Sequence, residues 1–437
     1  MRIGSFVKNV SVLTTANLVM AFLALIQGIF VARWLGPNLY GLAALVMSFP
    51  NLIYTFFNAR SSEGSIKFLS EFHAREERPQ ALAICRLGYL IGILMGILAF
   101  FTIFFTADWA SRHIAHNPET AWLIVILGVS LVPRSLVANS RAVLVSLGRF
   151  NRIAVMTIFE ALLRMTLVLG MIFAGWKVEG VIWGNAMAIS LTGVIYLVIV
   201  YPLIKKTWGS LLAGGTWQAL KGHRRTFFRF IVYNDLNTLL GIIPKQLDVI
   251  LLGYFHHSTQ VGYYRLAKSL ANFLGYLVNP LQSVIYPELS KLWALREKEA
   301  LGRMVRRLAL QTGLPLFLAA LGSIALLPYL LPVIYGNDYI PAVPAAQLLV
   351  VGSAVWLGLY WLRPLYLAQG NVREWFIITT SVVVLIMIAY PVVISRWGYI
   401  GLSCLLMVMQ LLSHGLAVSW LAVNERRAWK KIQSEQK

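Results

Sequence analysis

Apolar runs of membrane-crossing length recur along the whole chain, and they constrain the fold more than any other feature. A helix needs about twenty mostly apolar residues to cross a bilayer. Only 13% of the 437 residues are charged, against about a quarter in soluble proteins. Only helices and closed barrels satisfy their backbone groups in lipid, and the runs lack the alternating pattern of barrel strands. The sequence therefore predicts an all-α integral membrane protein.

About twelve segments are predicted to cross the membrane. With the N-terminus in the cytoplasm, the inner segments hold 26 Lys and Arg and the outer segments hold 4. Positively charged loops stay in the cytoplasm, so both termini are predicted to be cytoplasmic. The same rule accounts for the net charge of +21 without a nucleic-acid partner. The predicted spans are 9–33, 40–62, 81–106, 120–141, 152–174, 180–203, 226–254, 260–288, 308–335, 342–366, 374–394 and 400–424.

The two halves of the chain match each other weakly. Residues 17–36 align with 234–253, placing Gly36 on Gly253, and after a loop difference of four residues Asn51 falls on Asn272. Parallel repeats in transporters are related by an axis along the membrane normal. We therefore expect two six-helix lobes related by a pseudo-two-fold axis along this direction. The predicted divisions are an N-terminal lobe 1–203, a basic cytoplasmic linker 204–225, a C-terminal lobe 226–424 and a basic cytoplasmic tail 425–437.

Two features of the first half predict local packing. The inner link after the second span repeats Ile66, Leu69 and Phe72 at helical spacing, which predicts an amphipathic helix lying on the lipid headgroups. The third span carries glycines four residues apart, which predicts close helix packing within the monomer, with a dimer seam as the alternative. These glycines are Gly88, Gly92 and Gly96.

Eight basic residues fall inside the predicted spans, where a central charge costs about 2.5–3.5 kcal/mol. Two of them, Arg60 and Arg229, lie near cytoplasmic ends, where long side chains reach the headgroups. Arg265 and Lys268 are three residues apart, and like charges on one helix face favour an anion between them. We therefore expect a cationic cavity for an anionic substrate. Its predicted binding residues are Arg134, Arg164, Lys245, Arg265, Lys268 and Arg363.

Three carboxylates lie within the predicted spans with these cations, and Glu63 and Glu288 lie at span ends. Glu160 lies four residues before Arg164, and Asp248 lies three after Lys245, so each pair is either an ion pair between helical neighbours or part of a working site. Asp235 is the third carboxylate. We consider Glu160, Asp235 and Asp248 as ion-pair partners or as groups that couple transport to an ion gradient.

The sequence predicts no metal and no cofactor. His113 and His116 have helical ligand spacing but no cysteine partner, so we interpret them as loop residues. The chain has no Gly-rich phosphate loop ending in Lys-Ser or Lys-Thr. Energy is therefore expected to come from an ion gradient, the membrane potential or substrate flow.

Two stretches carry a family resemblance: VARWLGPNLYGLAALVMSFPNLI at 31–53 and VGYYRLAKSLANFLGYLVNPLQSVIYPELSKLW at 261–293. They resemble Wzx-type polysaccharide flippases of the multidrug/oligosaccharidyl-lipid/polysaccharide (MOP) superfamily. The resemblance implies two six-helix lobes in a V shape that alternate access. It implies that oligosaccharide on polyprenyl pyrophosphate crosses the bacterial cytoplasmic (inner) membrane, for surface polysaccharide such as O-antigen. The partners it implies are this substrate, membrane lipids and a polysaccharide polymerase or chain-length machinery.

Three alternatives are weighed against this one. A drug or cation exporter of the same superfamily is expected to hold an acidic cation site in its first helix, yet 9–33 contains no Asp or Glu. Lipid II flippases typically have fourteen spans and arginines inside the first two helices, and the first span here is uncharged through its middle. A membrane glycosyltransferase or polymerase needs outer carboxylates or a large catalytic loop, and the longest outer loop is about 107–119. We therefore predict a transporter and not an enzyme.

Overall fold

The computed structural model describes residues 3–57, 61–211 and 246–434, and every regular element in these ranges is helical. The N-terminal half contains α1 (Ile3–Phe57), α2 (Ser61–Ala74), α3 (Arg78–His113), α4 (Ala121–Ser146), α5 (Phe150–Phe173) and α6 (Val178–Thr207). Then follow α7 (Gln246–Phe255), α8 (Ser258–Ala294), α9 (Lys298–Arg307), α10 (Leu314–Tyr335), α11 (Val343–Gly358), α12 (Leu362–Ala368) and α13 (Val372–Ser434).

Eight of the described helices are long and apolar enough to cross a membrane. Two of the eight contain a residue that is not helical, Gly36 at φ 70° in α1 and Gly398 at φ 55° in α13. Glycine adopts such angles without steric cost, so each of these two helices consists of two segments. The protein is therefore the all-helical, multi-pass membrane protein that the sequence predicted.

The count of twelve spans stays a prediction. Helix α8 covers the predicted span 260–288 and has 37 residues, enough to cross a bilayer, but it is more polar than the eight helices above. Of the predicted span 226–254, only α7 lies within the described residues.

The described residues form two compact units, Met1–Val261 (unit 1) and Gly262–Lys437 (unit 2). Most of the predicted linker 204–225 and the start of the predicted second lobe lie outside the described residues. The predicted lobe boundaries, the linker and the pseudo-two-fold axis therefore stay predictions.

The apolar face of α2 packs on protein and not on lipid headgroups. Phe68, Leu69 and Phe72 are buried and join the core of unit 1 together with residues of α3, α4 and α6. The expectation of a headgroup position is wrong for this face, because periodicity identifies an apolar stripe but not what covers it.

The glycine-rich face of α3 packs closely against α4 within unit 1. A Cβ atom at Gly88 would lie 2.9 Å from Asn139 Oδ1, and one at Gly92 would lie 2.6 Å from Asn139 Nδ2. A Cβ at Gly96 would lie 3.1 Å from the Cα of Val132. The predicted packing inside the monomer is confirmed, because a larger side chain at these positions would separate the two helices.

One helix-ending turn occurs in both units. Glu76 after α2 has φ 60°, and Arg296 after α8 has φ 57°. In each turn the next residue donates its N–H to the carbonyl five residues earlier, which defines a Schellman motif. Equivalent residues differ by 220 in number. The bonds are Glu77 N to Phe72 O at 2.9 Å and Glu297 N to Leu292 O at 3.1 Å.

A second pair of Schellman turns lies at Gly148 (φ 66°) and Gly370 (φ 78°). Equivalent residues now differ by 222, and the same interval separates the starts of α4 and α11 and of α5 and α13. The bonds are Arg149 N to Leu144 O at 2.8 Å and Asn371 N to Tyr366 O at 2.9 Å. These recurring turns support the predicted repeat, because they depend on backbone geometry and not on matching apolar residues.

Candidate functional site

The site in unit 1 begins at a proline inside α4. Pro133 removes one hydrogen bond from its helix, and α6 packs onto this point, because a Cβ on Gly193 would collide with the Pro133 carbonyl oxygen. A glycine at this contact allows the close approach. Arg134 follows directly and is half-buried.

Arg134 is held by the second segment of α1. Its Nη1 donates to Asn51 Oδ1 at 2.7 Å, and its guanidinium carbon lies 4.8 Å from the centre of the Tyr54 ring. Asn51 Nδ2 donates in turn to the Met47 carbonyl at 2.7 Å, which fixes the amide. The cation is therefore positioned by a hydrogen bond and a ring face, and no carboxylate of the described residues contacts it directly.

Helix α7 joins the same cluster. Thr55 Oγ1 lies 3.3 Å from Gln246 Oε1 and 2.8 Å from the Asn51 carbonyl oxygen. Polar groups of α1, α4 and α7 thus lie together, and α1 and α4 are both long and apolar enough to cross the membrane.

The predicted pair on α5 is an ion pair. Arg164 Nη2 bonds to Glu160 Oε1, and the two side chains are 32% and 22% exposed. The Nε of Arg164 is buried and has no hydrogen-bond acceptor among the described residues. The charges of both residues act on the Arg134 guanidinium. Two predicted cations and one predicted carboxylate are therefore near enough for their charges to interact, and among the described residues this group carries one positive charge in excess.

Unit 2 presents its predicted cations differently. Arg265 and Lys268 lie half-buried on neighbouring turns of α8, with Lys268 Nζ 5.7 Å from the centre of the Tyr264 ring. Arg363 is exposed at the start of α12. Neither Arg265 nor Arg363 has a hydrogen-bond or ion-pair partner within the described part of the chain.

Three other predicted residues belong to the region around α7. Asp235 and Lys245 lie outside the described residues, so the proposed Lys245–Asp248 pair stays a prediction. Asp248 is buried, and its Oδ1 accepts a hydrogen bond from the backbone N–H of Val249 at 2.7 Å.

Sequence reasoning did not single out Tyr54, Thr55 or Gln246. A signal was available for the first two, because they follow Asn51 by three and four residues and so share its helix face. Gln246 carried no comparable signal, since it lies 191 residues beyond Thr55 and meets it only in the folded chain.

The two histidines predicted to lie in a loop have separate partners, and His113 is the last residue of α3. His113 Nδ1 lies 2.9 Å from the Trp109 carbonyl, and His116 Nε2 lies 3.0 Å from the Gly253 carbonyl. Among the described residues, no group of three or more His, Cys, Asp or Glu is arranged to hold a metal.

Similarity to known sequences identifies a family for most of the chain. The family model described as "Polysaccharide biosynthesis protein" matches residues 6–293. No curated protein sequence matches the chain significantly.

Solved structures show the fold. A multidrug resistance MATE family transporter of the MOP superfamily superposes with a TM-score of 0.73 at 13% identity, over 94% of this chain and 96% of that one. The lipid II flippase MurJ gives 0.71 at 16% identity, over 96% and 89%. A mutant of the Vibrio cholerae MATE transporter VcmN gives 0.63 at 16% identity, over 99% and 98%.

At these identities the superpositions establish the fold and leave the substrate open. The family model covers more than half of the chain and extends from the first helix to the end of α8. The chain therefore belongs to the polysaccharide biosynthesis protein family and has the multi-pass membrane fold of MOP-superfamily transporters.

Proposed function

We propose that this chain is a flippase that moves oligosaccharide linked to polyprenyl pyrophosphate from the inner to the outer leaflet. It would work by alternating access in the bacterial cytoplasmic membrane and supply surface polysaccharide synthesis. Family membership supports the connection with polysaccharide. The observation that carries the proposal is the net positive cluster of Arg134, Arg164 and Glu160 within membrane-crossing helices.

Arginine suits the phosphate part of this substrate. Its planar fork binds two phosphate oxygens at once and stays charged. Asn51 and Tyr54 hold Arg134 by one nitrogen and one ring face, and its other N–H groups have no acceptor among the described residues. The buried Nε–H of Arg164 has no acceptor among the described residues. An anion between these two arginines would satisfy such groups and offset their mutual repulsion.

The repeat supports a functional reason for these charges. By the 222-residue interval, Glu160 and Arg164 of α5 correspond to Val382 and Ile386 of α13, which are both buried. An apolar pair can replace a buried ion pair at little cost or even with a gain in stability. Because unit 2 folds with the apolar pair, packing alone does not account for the charged pair in unit 1.

The unit 2 cations complete the proposed path. Arg265, Lys268 and Arg363, together with Lys245, would form further positions at which the pyrophosphate binds while the polyprenyl tail stays in lipid. Glu160, Asp235 and Asp248 are the carboxylates proposed to couple this cycle to an ion gradient. A polymerase or chain-length protein would receive the product. This process forms and breaks no covalent bond, so the proposal includes no enzymatic activity.

A drug exporter is the second candidate, favoured by the similarity to MATE transporters. Against it, residues 11–57 of α1 contain no Asp or Glu that could hold a cationic drug or a coupling ion.

Transport in proteoliposomes distinguishes the two functions. The vesicles would contain either a polyprenyl-pyrophosphate-linked oligosaccharide, with its exposure at the outer surface detected by a lectin, or ethidium. We expect lectin-detected flipping that Arg134→Ala reduces, without ethidium transport. Ethidium transport without glycolipid flipping would overturn the proposal.

A further inference from the structure

A cationic patch lies at the start of the span that leads into α10. Helices α9 and α10, joined by the π-helical turn Leu308–Gly313, form one segment, Lys298–Tyr335, of membrane-crossing length. Its exposed face begins with charged residues and continues with apolar ones. Arg303, Arg306 and Arg307 are exposed in α9, and Leu310, Leu314 and Leu318 follow on exposed positions.

The opposite face of α9 packs on the protein. Leu301 is buried, and Met304 and Val305 pack against the core of unit 2. The three arginines therefore point away from the core, on the side that leads to the leucines. An exposed face that is charged at one end and apolar along the rest suits contact with lipid, with the long basic side chains at headgroup level and the apolar residues in the hydrocarbon.

The three arginines make few and weak contacts with the described residues. Arg303 lies 3.5 Å from Glu299, and both side chains are largely exposed, at 73% and 90%. Such a pair contributes little. Arg307 Nε donates to the neutral Gln311 Oε1 at 2.8 Å. Arg306 has no hydrogen-bond or ion-pair partner among the described residues, so this part of α9 carries excess positive charge.

The repeat shows that the fold does not require this patch. By the 220-residue interval of the first Schellman turn, Arg303 and Arg307 correspond to Ala83 and Leu87, which are buried in unit 1. Arg306 corresponds to Arg86, whose Nη2 donates to the Ser210 carbonyl at 2.6 Å. Exposed, clustered arginines therefore occur only on the unit 2 side of this comparison.

We infer that Arg303, Arg306 and Arg307 bind the phosphate headgroup of an anionic phospholipid, whose acyl chain lies along Leu310, Leu314 and Leu318. Arginine forks match phosphate oxygens, and basic residues beside a membrane helix attract anionic headgroups. The vertical order of cations and leucines on one face matches the order of headgroup and acyl chain in a single lipid. The inference does not depend on what the protein transports.

The test is native mass spectrometry of the full-length protein, titrated with phosphatidylglycerol and, separately, with phosphatidylcholine. We expect preferential phosphatidylglycerol binding that falls about tenfold in the triple variant Arg303→Gln, Arg306→Gln, Arg307→Gln. The triple variant with lysine at the same three positions should bind phosphatidylglycerol with intermediate affinity, because the positive charge remains while the planar fork of arginine is lost. Free glycerol phosphate should compete poorly, because it lacks the acyl chain that contacts the leucines.

The matched control neutralises three other exposed cations, in the variant Arg152→Gln, Lys205→Gln, Lys206→Gln. It should retain phosphatidylglycerol binding within about twofold. Equal losses in the two triple variants would show that the arginines serve only as general positive charge and would overturn the inference. Equal binding of the two lipids by the unaltered protein would overturn it as well.

Discussion

Arg141 and Arg363 occupy equivalent positions, each seven residues before the glycine of its Schellman turn, yet they are used differently. Arg141 Nη2 donates to Thr157 Oγ1 at 2.8 Å. The equivalent threonine in unit 2 is Thr379, whose hydroxyl, among the described residues, bonds to carbonyls of its own helix. Arg363 is exposed and has no partner among the described residues. The repeated backbone thus preserves the positions of two residues but not the contact between them.

A second pair of equivalent contacts shows the same divergence. In unit 1 the Arg134 guanidinium lies over Tyr54. In unit 2 the equivalent positions hold Trp356 and Gly275, with the indole 3.3 Å from where a Cβ on the glycine would lie. The contact between a cation and an aromatic ring in unit 1 is thus replaced in unit 2 by a contact between an aromatic ring and a glycine. In the comparison, unit 1 fixes its interior charges through partners, whereas Arg265 and Arg363 of unit 2 have no such partner among the described residues.

The largest expected effect is on stability and comes from the ion pair of unit 1. Arg164→Ala leaves Glu160 as an unpaired carboxylate inside the membrane. Breaking a buried pair costs about 3–5 kcal/mol, and the partial exposure of this pair places the effect at the lower end. We expect a lower melting temperature in detergent and lower abundance in membranes. Adding Glu160→Ala should restore most of the loss, and a single variant as stable as the parent would contradict this interpretation.

The next effect separates stability from transport. Replacing Glu160 and Arg164 by Val and Ile gives unit 1 the pair found at Val382 and Ile386. We expect a folded protein, because unit 2 packs these side chains at the equivalent positions, but export of surface glycan should fall at least about tenfold. Glycan export and melting temperature measured together provide the check. Unchanged export would show that the charged pair has only a structural role.

The third effect concerns a cation that has no partner among the described residues. Arg265→Ala should leave the free energy of unfolding within about 0.5 kcal/mol of the parent, as substitutions at sites without such contacts usually do. Export should fall by the factor that corresponds to the loss of one charge-assisted hydrogen bond to the substrate, which contributes about 1.5–3 kcal/mol. Arg265→Lys is the matched control and should lose less. Normal export by a well-inserted Arg265→Glu, Lys268→Glu variant would refute the proposed binding role of α8.

The fold was largely predictable because its strongest determinants are local. Twenty apolar residues predict a span wherever they occur, and the basic links set the predicted orientation. The glycine face of α3 was also correctly interpreted, because small residues at spacing four indicate close packing. The exposure of the apolar face of α2 was not predictable, because the residues that cover it come from α3, α4 and α6.

The site was predictable in its charges but not in its contacts. Each arginine inside a span was visible as an energetic exception. The partners of Arg134 were not visible, because Asn51 lies 83 residues earlier in the chain. The sequence also gave equal weight to Arg134 and Arg363, and only the structure separates the fixed cation from the exposed one.

The smallest effects are expected from changing Arg141 and Arg363 one at a time. These changes test whether the two equivalent arginines have different roles. Arg141→Ala removes a hydrogen bond from a charged donor and leaves Thr157 with its bond to the Ile153 carbonyl at 2.8 Å. It should cost about 1–1.5 kcal/mol of stability and leave export per molecule unchanged.

Arg363→Ala removes no contact with the described residues, so stability should stay within about 0.5 kcal/mol. If Arg363 contacts the passing pyrophosphate, export should fall about threefold, and Arg363→Lys should recover part of it. Melting temperature and glycan export per inserted molecule should be measured on all three variants. These two measurements separate a structural role of an arginine from a role in transport. A stability loss in Arg363→Ala as large as in Arg141→Ala would show that the two arginines serve the same structural purpose.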